Sequence, residues 1–173
     1  SASTGWTLAS TSGQTSTISG GELQLSARAH GAEASATQTL TINEIGIEHA
    51  LNIVVTRGPI TFRLGSTSGG GEYVAETTLR TGTHSLAFRP TGSPAYIRFS
   101  SLNAAVKKVS SCTVEAAGVM ALPTIWPVAD LGLIRYDQSR DGRCLAARGY
   151  RQQRIERRGD TSWSVVDYTT DDG

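Results

Sequence analysis

The sequence is poor in the groups that most often announce a chemistry. It has 2 cysteines and 3 histidines in 173 residues. Cys112 and Cys144 are too few for a disulfide scaffold in a chain of this length, and both read as small buried apolar groups. His30, His49 and His84 stand in no nucleophile elbow and at no metal-ligand spacing, so they read as loop or strand-face residues. Charged residues make up 18% of the chain and the formal net charge is +1. No bulk attraction to nucleic acid or to a membrane surface follows from that balance. No apolar run reaches the length of a membrane span, and no signal peptide is visible. The chain opens on Ser-Ala-Ser without a methionine and closes in an acidic turn, so a piece of a longer protein is expected. No stretch sustains a helical period. Aromatic residues are 6% of the total, which is thin for a surface that binds sugars by stacking.

What the sequence has in quantity is glycine, serine and threonine around short alternating runs. Leu23, Leu25 and Ala27 alternate with Gln24, Ser26 and Arg28. Leu40 and Ile42, then Leu51, Ile53 and Val55, then Ile60, Phe62 and Leu64 repeat the period. Such alternation puts one face of a strand in the core and the other in water. Leu86 with Phe88, Ile97 with Phe99, and Val109 with Val114 continue it, with the last strand of this set within Val106–Ala116. Turn residues at Gly20-Gly21, Arg57-Gly58-Pro59, Ser66–Gly71, Thr81-Gly82-Thr83 and Pro90–Pro94 separate the runs. Short strands every eight to twelve residues with turns between them predict an all-β protein, a jelly-roll β-sandwich over residues 1–118.

A connector at 119–129 carries Pro123, Trp126 and Pro127, which forbid a long helix. Residues 130–173 read as a short antiparallel β-scaffold segment. A strand at Leu133–Asp137 turns at Asp141-Gly142 into Arg143–Ala147. Gln153–Arg157 and Ser162–Tyr168 form a second hairpin around Gly159-Asp160. Residues 129–173 hold eight arginines and eight acids, so the ionic character of the chain is concentrated there. Four strands of that charge cannot make a core alone. They are expected to pair with the jelly roll, with another part of a longer chain, or with a neighbouring subunit.

Two stretches carry family resemblances. IRYDQS at Ile134–Ser139, GYRQQRIERRGDTSWSVVDY at Gly149–Tyr168, and the closing DDG resemble a repeated segment of tail nozzle proteins of short-tailed phages and prophages, the tubular B-like components. The resemblance implies a structural protein of the virion tail, made in the bacterial host cytoplasm. Its partners would be other tail proteins and copies of itself in a homo-oligomeric ring. It would hold and then release the genome, touching DNA only transiently, with no membrane span. A second resemblance lies in residues 5–117: Gly5-Trp6, Gly20-Gly21-Glu22-Leu23, Ile60–Ser66, Gly82 to Phe88, and Tyr96-Ile97-Arg98-Phe99. This part is similar to the carbohydrate-binding jelly rolls attached to glycoside hydrolases. It implies an outward domain that touches a host-surface glycan, or, alternatively, a non-catalytic carbohydrate-binding module. In such modules calcium is often held by carboxylate and backbone oxygens, and Glu22 occupies a ligand position. Lys107-Lys108 and Ser110-Ser111 stand where an acidic partner is expected, so no metal and no cofactor is expected beyond that single candidate.

The candidate sites follow from these readings. Sugar faces stack on rings, and Tyr73, Trp6 and Tyr96 are the jelly roll's available aromatics, since Phe62, Phe88 and Phe99 alternate as core. Tyr73 beside the glycine loop is the first choice, and Trp6 doubles as a core plug. Glycoside hydrolysis needs two converging carboxylates; Glu22, Glu44, Glu48, Glu72 and Glu76 show no pairing beyond Glu72 and Glu76 on one strand face. An enzyme is not expected. Arg135, Arg143, Arg148, Arg151, Arg154, Arg157 and Arg158 meet Asp137, Asp141, Glu156, Asp160 and Asp167 in one segment. They read either as a phosphate-facing lining or as salt bridges between strands or subunits, and the near-cancellation of charge favours the second. Arg135, Asp137, Arg154, Glu156, Arg157 and Trp163 are the predicted strand-pairing or subunit contacts. Arg158-Gly159-Asp160 matches an adhesion tripeptide, but Gly-Asp between two strands is sound turn chemistry.

Overall fold

The structure is a computed structural model and describes residues 5–9, 12–28, 31–140 and 142–168. Ten strands come first: β1 (Trp6–Ala9), β2 (Gln14–Ser19), β3 (Glu22–Ala27), β4 (Ala34–Leu40), β5 (His49–Arg57), β6 (Ile60–Gly65), β7 (Val74–Leu79), β8 (Gly82–Phe88), β9 (Ala95–Ser101) and β10 (Lys107–Val114). A single 3-10 turn at Val128–Leu133 leads to β11 (Arg135–Ser139), β12 (Gly142–Ala146), β13 (Gln153–Arg157) and β14 (Trp163–Asp167). The strands form two antiparallel sheets, ordered β1-β4-β9-β6-β7 and β11-β12-β13-β14-β8-β5-β10-β3-β2. The predicted class is what forms: an all-β, jelly-roll β-sandwich followed by a short antiparallel segment.

The sandwich proper is β1-β4-β9-β6-β7 laid on β2-β3-β10-β5-β8. The chain switches sheets at almost every connection after β3, and β1 and β4 lie over β2 while β7 lies over β8. Period-2 patterning builds the core between the sheets. Ile60, Phe62 and Leu64 of β6 and Ala95, Ile97 and Phe99 of β9 are sealed from water, while Thr61, Arg63, Tyr96 and Arg98 take the outer face. Phe62 and Phe99 pack at 5.1 Å between centroids. Burying each such ring stabilises the fold by roughly 1.5–3 kcal/mol.

The nine-stranded sheet is longer than its partner. β14 hydrogen-bonds along β8, and β13, β12 and β11 continue the sheet beyond β7, the last strand of the opposing layer. Of the three pairings open to the charged C-terminal segment, the structure shows the one with the jelly roll. The connector closes over the far side of this junction. Thr83 Oγ1 donates to Pro123 O at 2.8 Å, and Trp126 is 7% exposed without belonging to the main core.

Three local expectations change. Ser139 pairs with Gly142, so the hairpin turns on residues 140 and 141 rather than on Asp141-Gly142; Asp141 itself lies outside the described residues. Glu72 precedes β7, and its carboxylate accepts a hydrogen bond from Ser66 N at 3.0 Å instead of lining a strand with Glu76. His49 and His84 lie on strands, one of the two settings expected for them, and both are buried, 6% and 0% exposed; His30 lies outside the described residues. Cys112 packs against the core, where burial pushes its thiol up to about 12, as expected of a small buried group, whereas Cys144 is only half-buried; both are unpaired.

Candidate interaction surfaces of the terminal meander

The joint between β8 and β14 is a close backbone contact with a buried polar chain beside it. Gly82 has φ +145°, and a Cβ there would overlap Val165 O and stand 2.6 Å from Val166 Cα. Only glycine lets β14 approach so closely. Opposite Ser164 sits His84. His84 Nε2 lies 2.9 Å from Arg80 O, and since a carbonyl only accepts, Nε2 carries the proton. Nδ1 then accepts from Ser164 Oγ at 2.7 Å, and Ser164 Oγ accepts from Arg158 Nε at 2.7 Å. Arg158 also donates to Thr77 Oγ1 at 3.1 Å and to Thr78 O at 3.0 Å, so it ties the meander to β7 across the layers. Burial first, and the Arg158 charge third, outweigh the Arg80 hydrogen bond and push the imidazole down to about 4. Ser164 and His84 have hydrogen-bond geometry, yet both are 0% exposed. No substrate reaches them, and the chain of bonds is structural.

The meander's two faces differ. Directly paired residues share a face. Glu156, Arg154 and Ser164 face inward, where Glu156 lies 3.7 Å from Arg154 and 3.6 Å from Arg158. The two guanidinium groups there share one carboxylate. On the outer face, Gln138, Arg143, Ile155, Arg157 and Trp163 line a recess of about 400 Å³ with Arg140 and Gly142 at its rim. It lies between the two hairpin turns, 140–141 and 158–162. Arg157 is paired with Asp160. Arg143 donates to Gln138 Oε1 at 3.2 Å and lies 5.6 Å from the centre of the Tyr136 ring. No carboxylate partners Arg140 or Arg143 among the described residues. Arg140 has φ +51° and is the one non-glycine residue with positive φ among those described. The left-handed region costs such a residue roughly 1–2 kcal/mol.

β11 is the outer edge of the sheet. Arg135, Tyr136, Asp137 and Gln138 are exposed. The 3-10 turn leading into it also exposes Val128, Leu131 and Leu133 at 50% or more.

The structure scatters the predicted glycan residues. Trp6 packs on Phe99 at 5.7 Å, and Tyr73 packs on Phe88 at 6.4 Å with its hydroxyl 3.2 Å from Thr91 Oγ1. Both are partly buried against the core. Tyr96 alone stands on the outer face of the five-stranded sheet, beside Arg98, which pairs with Glu33 at 2.6 Å. Glu22 accepts from Thr56 Oγ1 at 2.6 Å and lies 3.3 Å from Lys108 Nζ. The Thr56 bond, then Lys108, hold this carboxyl below its usual range against the desolvation that raises it.

The predicted contact residues of the meander stay within it. Arg154 and Glu156 pair within β13, and Glu156 and Arg157 reach Arg158 and Asp160 in the turn that follows it. Arg135 reaches only backbone carbonyls at Gly132 and Ile134, and Asp137 accepts from Gln138 N. Arg158 is a half-buried clamp held by Ser164, Thr77 and Thr78, so of the adhesion tripeptide's two charged side chains only Asp160 stands in solvent. The sequence reading passed over Arg140, whose only signal was its place before Asp-Gly in a hairpin turn.

No protein-family model matches this chain, and no curated protein matches it.

Proposed function

We propose that this chain is a non-catalytic structural module of a β-built assembly of the phage tail nozzle kind, with its meander as the joining element. One observation carries the reading: the nine-stranded sheet runs past its partner layer and ends on β11, an open edge. An exposed edge strand is a template for another strand. The apolar side chains at Val128, Leu131, Leu133 and Tyr136 flank that edge and would be covered by a neighbour. Internal pairing of Arg151 with Asp167, Arg154 and Arg158 with Glu156, and Arg157 with Asp160 suits a stiff connector better than a lining for DNA. In this reading the partner is a second copy or another tail protein, the location is the virion tail, and the jelly roll points outward.

The test is assembly. Sedimentation of the chain should show concentration-dependent association that Leu133→Lys with Tyr136→Lys abolishes. Electron microscopy of a longer protein carrying the chain should show rings that the same pair disrupts. Rings that form unchanged with both lysines in place would remove β11 as the joining edge. The alternative, a carbohydrate-binding jelly roll, rests on Tyr96 as the ring left on an open face. A glycan array read with Tyr73→Ala and Tyr96→Ala separates it from the first.

A further inference from the structure

From the recess on the outer face of the meander we infer a binding site for a carboxylate-bearing sugar, a uronic- or sialic-type residue of a glycan. The site is separate from the β11 edge and from the jelly-roll aromatics, and it goes beyond the assembly role.

Size comes first. About 400 Å³ lies within the range of small-ligand sites and holds one or two sugar rings. The lining follows. Trp163 and Ile155 give an apolar wall for the flat C–H face of a sugar ring. Gln138 offers an amide for hydroxyls, and Arg143 and Arg140 offer guanidinium forks that match a carboxylate. Arg157 is already occupied by Asp160, so it serves as a wall, and among the described residues the charge at the site without a carboxylate partner belongs to Arg140 and Arg143.

Arg140 supplies a second, independent sign. Glycine or asparagine is the ordinary occupant of a left-handed position in a two-residue hairpin turn. Here an arginine sits at φ +51° on the rim of the recess. Local strain of this kind clusters where a side chain is needed for binding.

Two competing ligands fit less well. A peptide binds sheets through main-chain hydrogen bonds at an edge. The recess lies on a sheet face, where the backbone of β12, β13 and β14 is committed to strand pairing. Nucleic acid needs a run of cations along a phosphate track. Beyond the recess Arg151, Arg154 and Arg158 are matched by Asp167 or Glu156, and Arg135 turns to backbone carbonyls at the β11 edge, so among the described residues the free cations form no continuous track. A compact anion with an apolar face and hydroxyls remains.

Binding can be read by tryptophan fluorescence and amide chemical shifts with oligogalacturonate, alginate oligomers and sialyllactose as probes. Neutral galactan, inorganic sulfate and a thymidine oligonucleotide serve as comparisons. At least one sugar acid should bind, with shifts centred on Trp163, Arg143 and Gln138, and the neutral glycan should not. Arg143→Gln and Trp163→Leu should each weaken binding about tenfold or more. Arg140→Gly should weaken it similarly without lowering the melting temperature, since glycine suits that backbone; this keeps the test free of misfolding. Tyr73→Ala and Tyr96→Ala should leave it unchanged. The proposal is overturned if no sugar acid binds, if the oligonucleotide or sulfate binds as tightly as the best sugar acid, or if Arg140→Gly and Arg143→Gln bind like wild type. Assembly through β11 would be untouched by any of these outcomes.

Discussion

Acidification should loosen the joint between the sandwich and the meander through His84, and the size of the effect can be worked from its surroundings. The imidazole is 0% exposed and is pushed from 6.5 down to about 4. Above pH 6.5 the histidine is neutral in both folded and unfolded chains, so it adds no pH dependence. Between 6.5 and 4 the unfolded chain binds a proton that the folded chain refuses. Stability therefore falls as pH falls, by up to 1.36 kcal/mol per unit. Over the full window this amounts to about 3 kcal/mol, a large share of the 5–15 kcal/mol typical of folded proteins. Below pH 4 both states carry the proton and the loss stops growing. The protonated ring would also aim a donor at Ser164 Oγ, which already accepts from Arg158. The assay is urea unfolding from pH 7.5 to 4, for wild type and for His84→Gln. The readout is the difference in slope, because carboxylates such as Glu22 titrate in both proteins and cancel. A loss of ~3 kcal/mol corresponds to roughly 6–12 °C in melting temperature for a chain of this size. Identical slopes in the two proteins would refute the argument, whatever the absolute cost of the substitution.

Two further predictions bear on the same joint. Gly82→Ala should push Val165 and Val166 out of register with β8, since the added methyl would meet their backbone. Limited proteolysis should then cut the connector at 119–129 while the sandwich stays resistant; an uncut connector would show that the close approach is not needed. Arg158→Met keeps the aliphatic stem but deletes the hydrogen bonds to Ser164, Thr77 and Thr78. It should cost about 2–4 kcal/mol in urea unfolding. It should also narrow the pH window of His84, because one of the influences that lowers the imidazole is removed. A full-width window in that variant would separate the two residues energetically.

The sandwich was legible because alternation is a strong signal. Ile60, Phe62 and Leu64, or Ala95, Ile97 and Phe99, leave one choice of face, and the structure takes it. The aromatic candidates were harder to place, because ring content does not say which way a ring points. Tyr73 stands beside the glycine loop, yet packing against Phe88 and the Thr91 hydroxyl hold it inward. The burial of His84 on its strand was not legible for a related reason. A buried histidine is acceptable only when both nitrogens find partners, and its partners, Arg80 and Ser164, come from a local turn and from a strand 80 residues away. The recess was invisible because it exists only after β12, β13 and β14 are in register. Gln138 and Trp163 come to one face through three strand pairings, and a one-residue slip of any of them would move part of the lining to the inner face.

That register explains why a segment so rich in charge folds here at all. A meander without an opposing layer buries little, so it must be held from one side. β8 provides a paired edge, the connector ties down on Thr83, opposite Val165, and Arg158 reaches β7 from within. Once β14 is fixed in this way, each further strand needs only its neighbour's hydrogen bonds and its own ion pairs. Stability should accordingly fall from β14 to β11, and a graded foldon of this kind exchanges amide protons first at its edge. The same gradient sets where function can sit. The edge at β11 is loose enough to accept another strand, while the recess at β12 and β13 is close enough to the anchored strand for its side chains to hold one arrangement. Hydrogen exchange resolved by strand would show this as protection rising from β11 through β12 and β13 to β14. Uniform protection across the four strands would mean that the meander opens as one unit with the sandwich, and that the joint does not set its order.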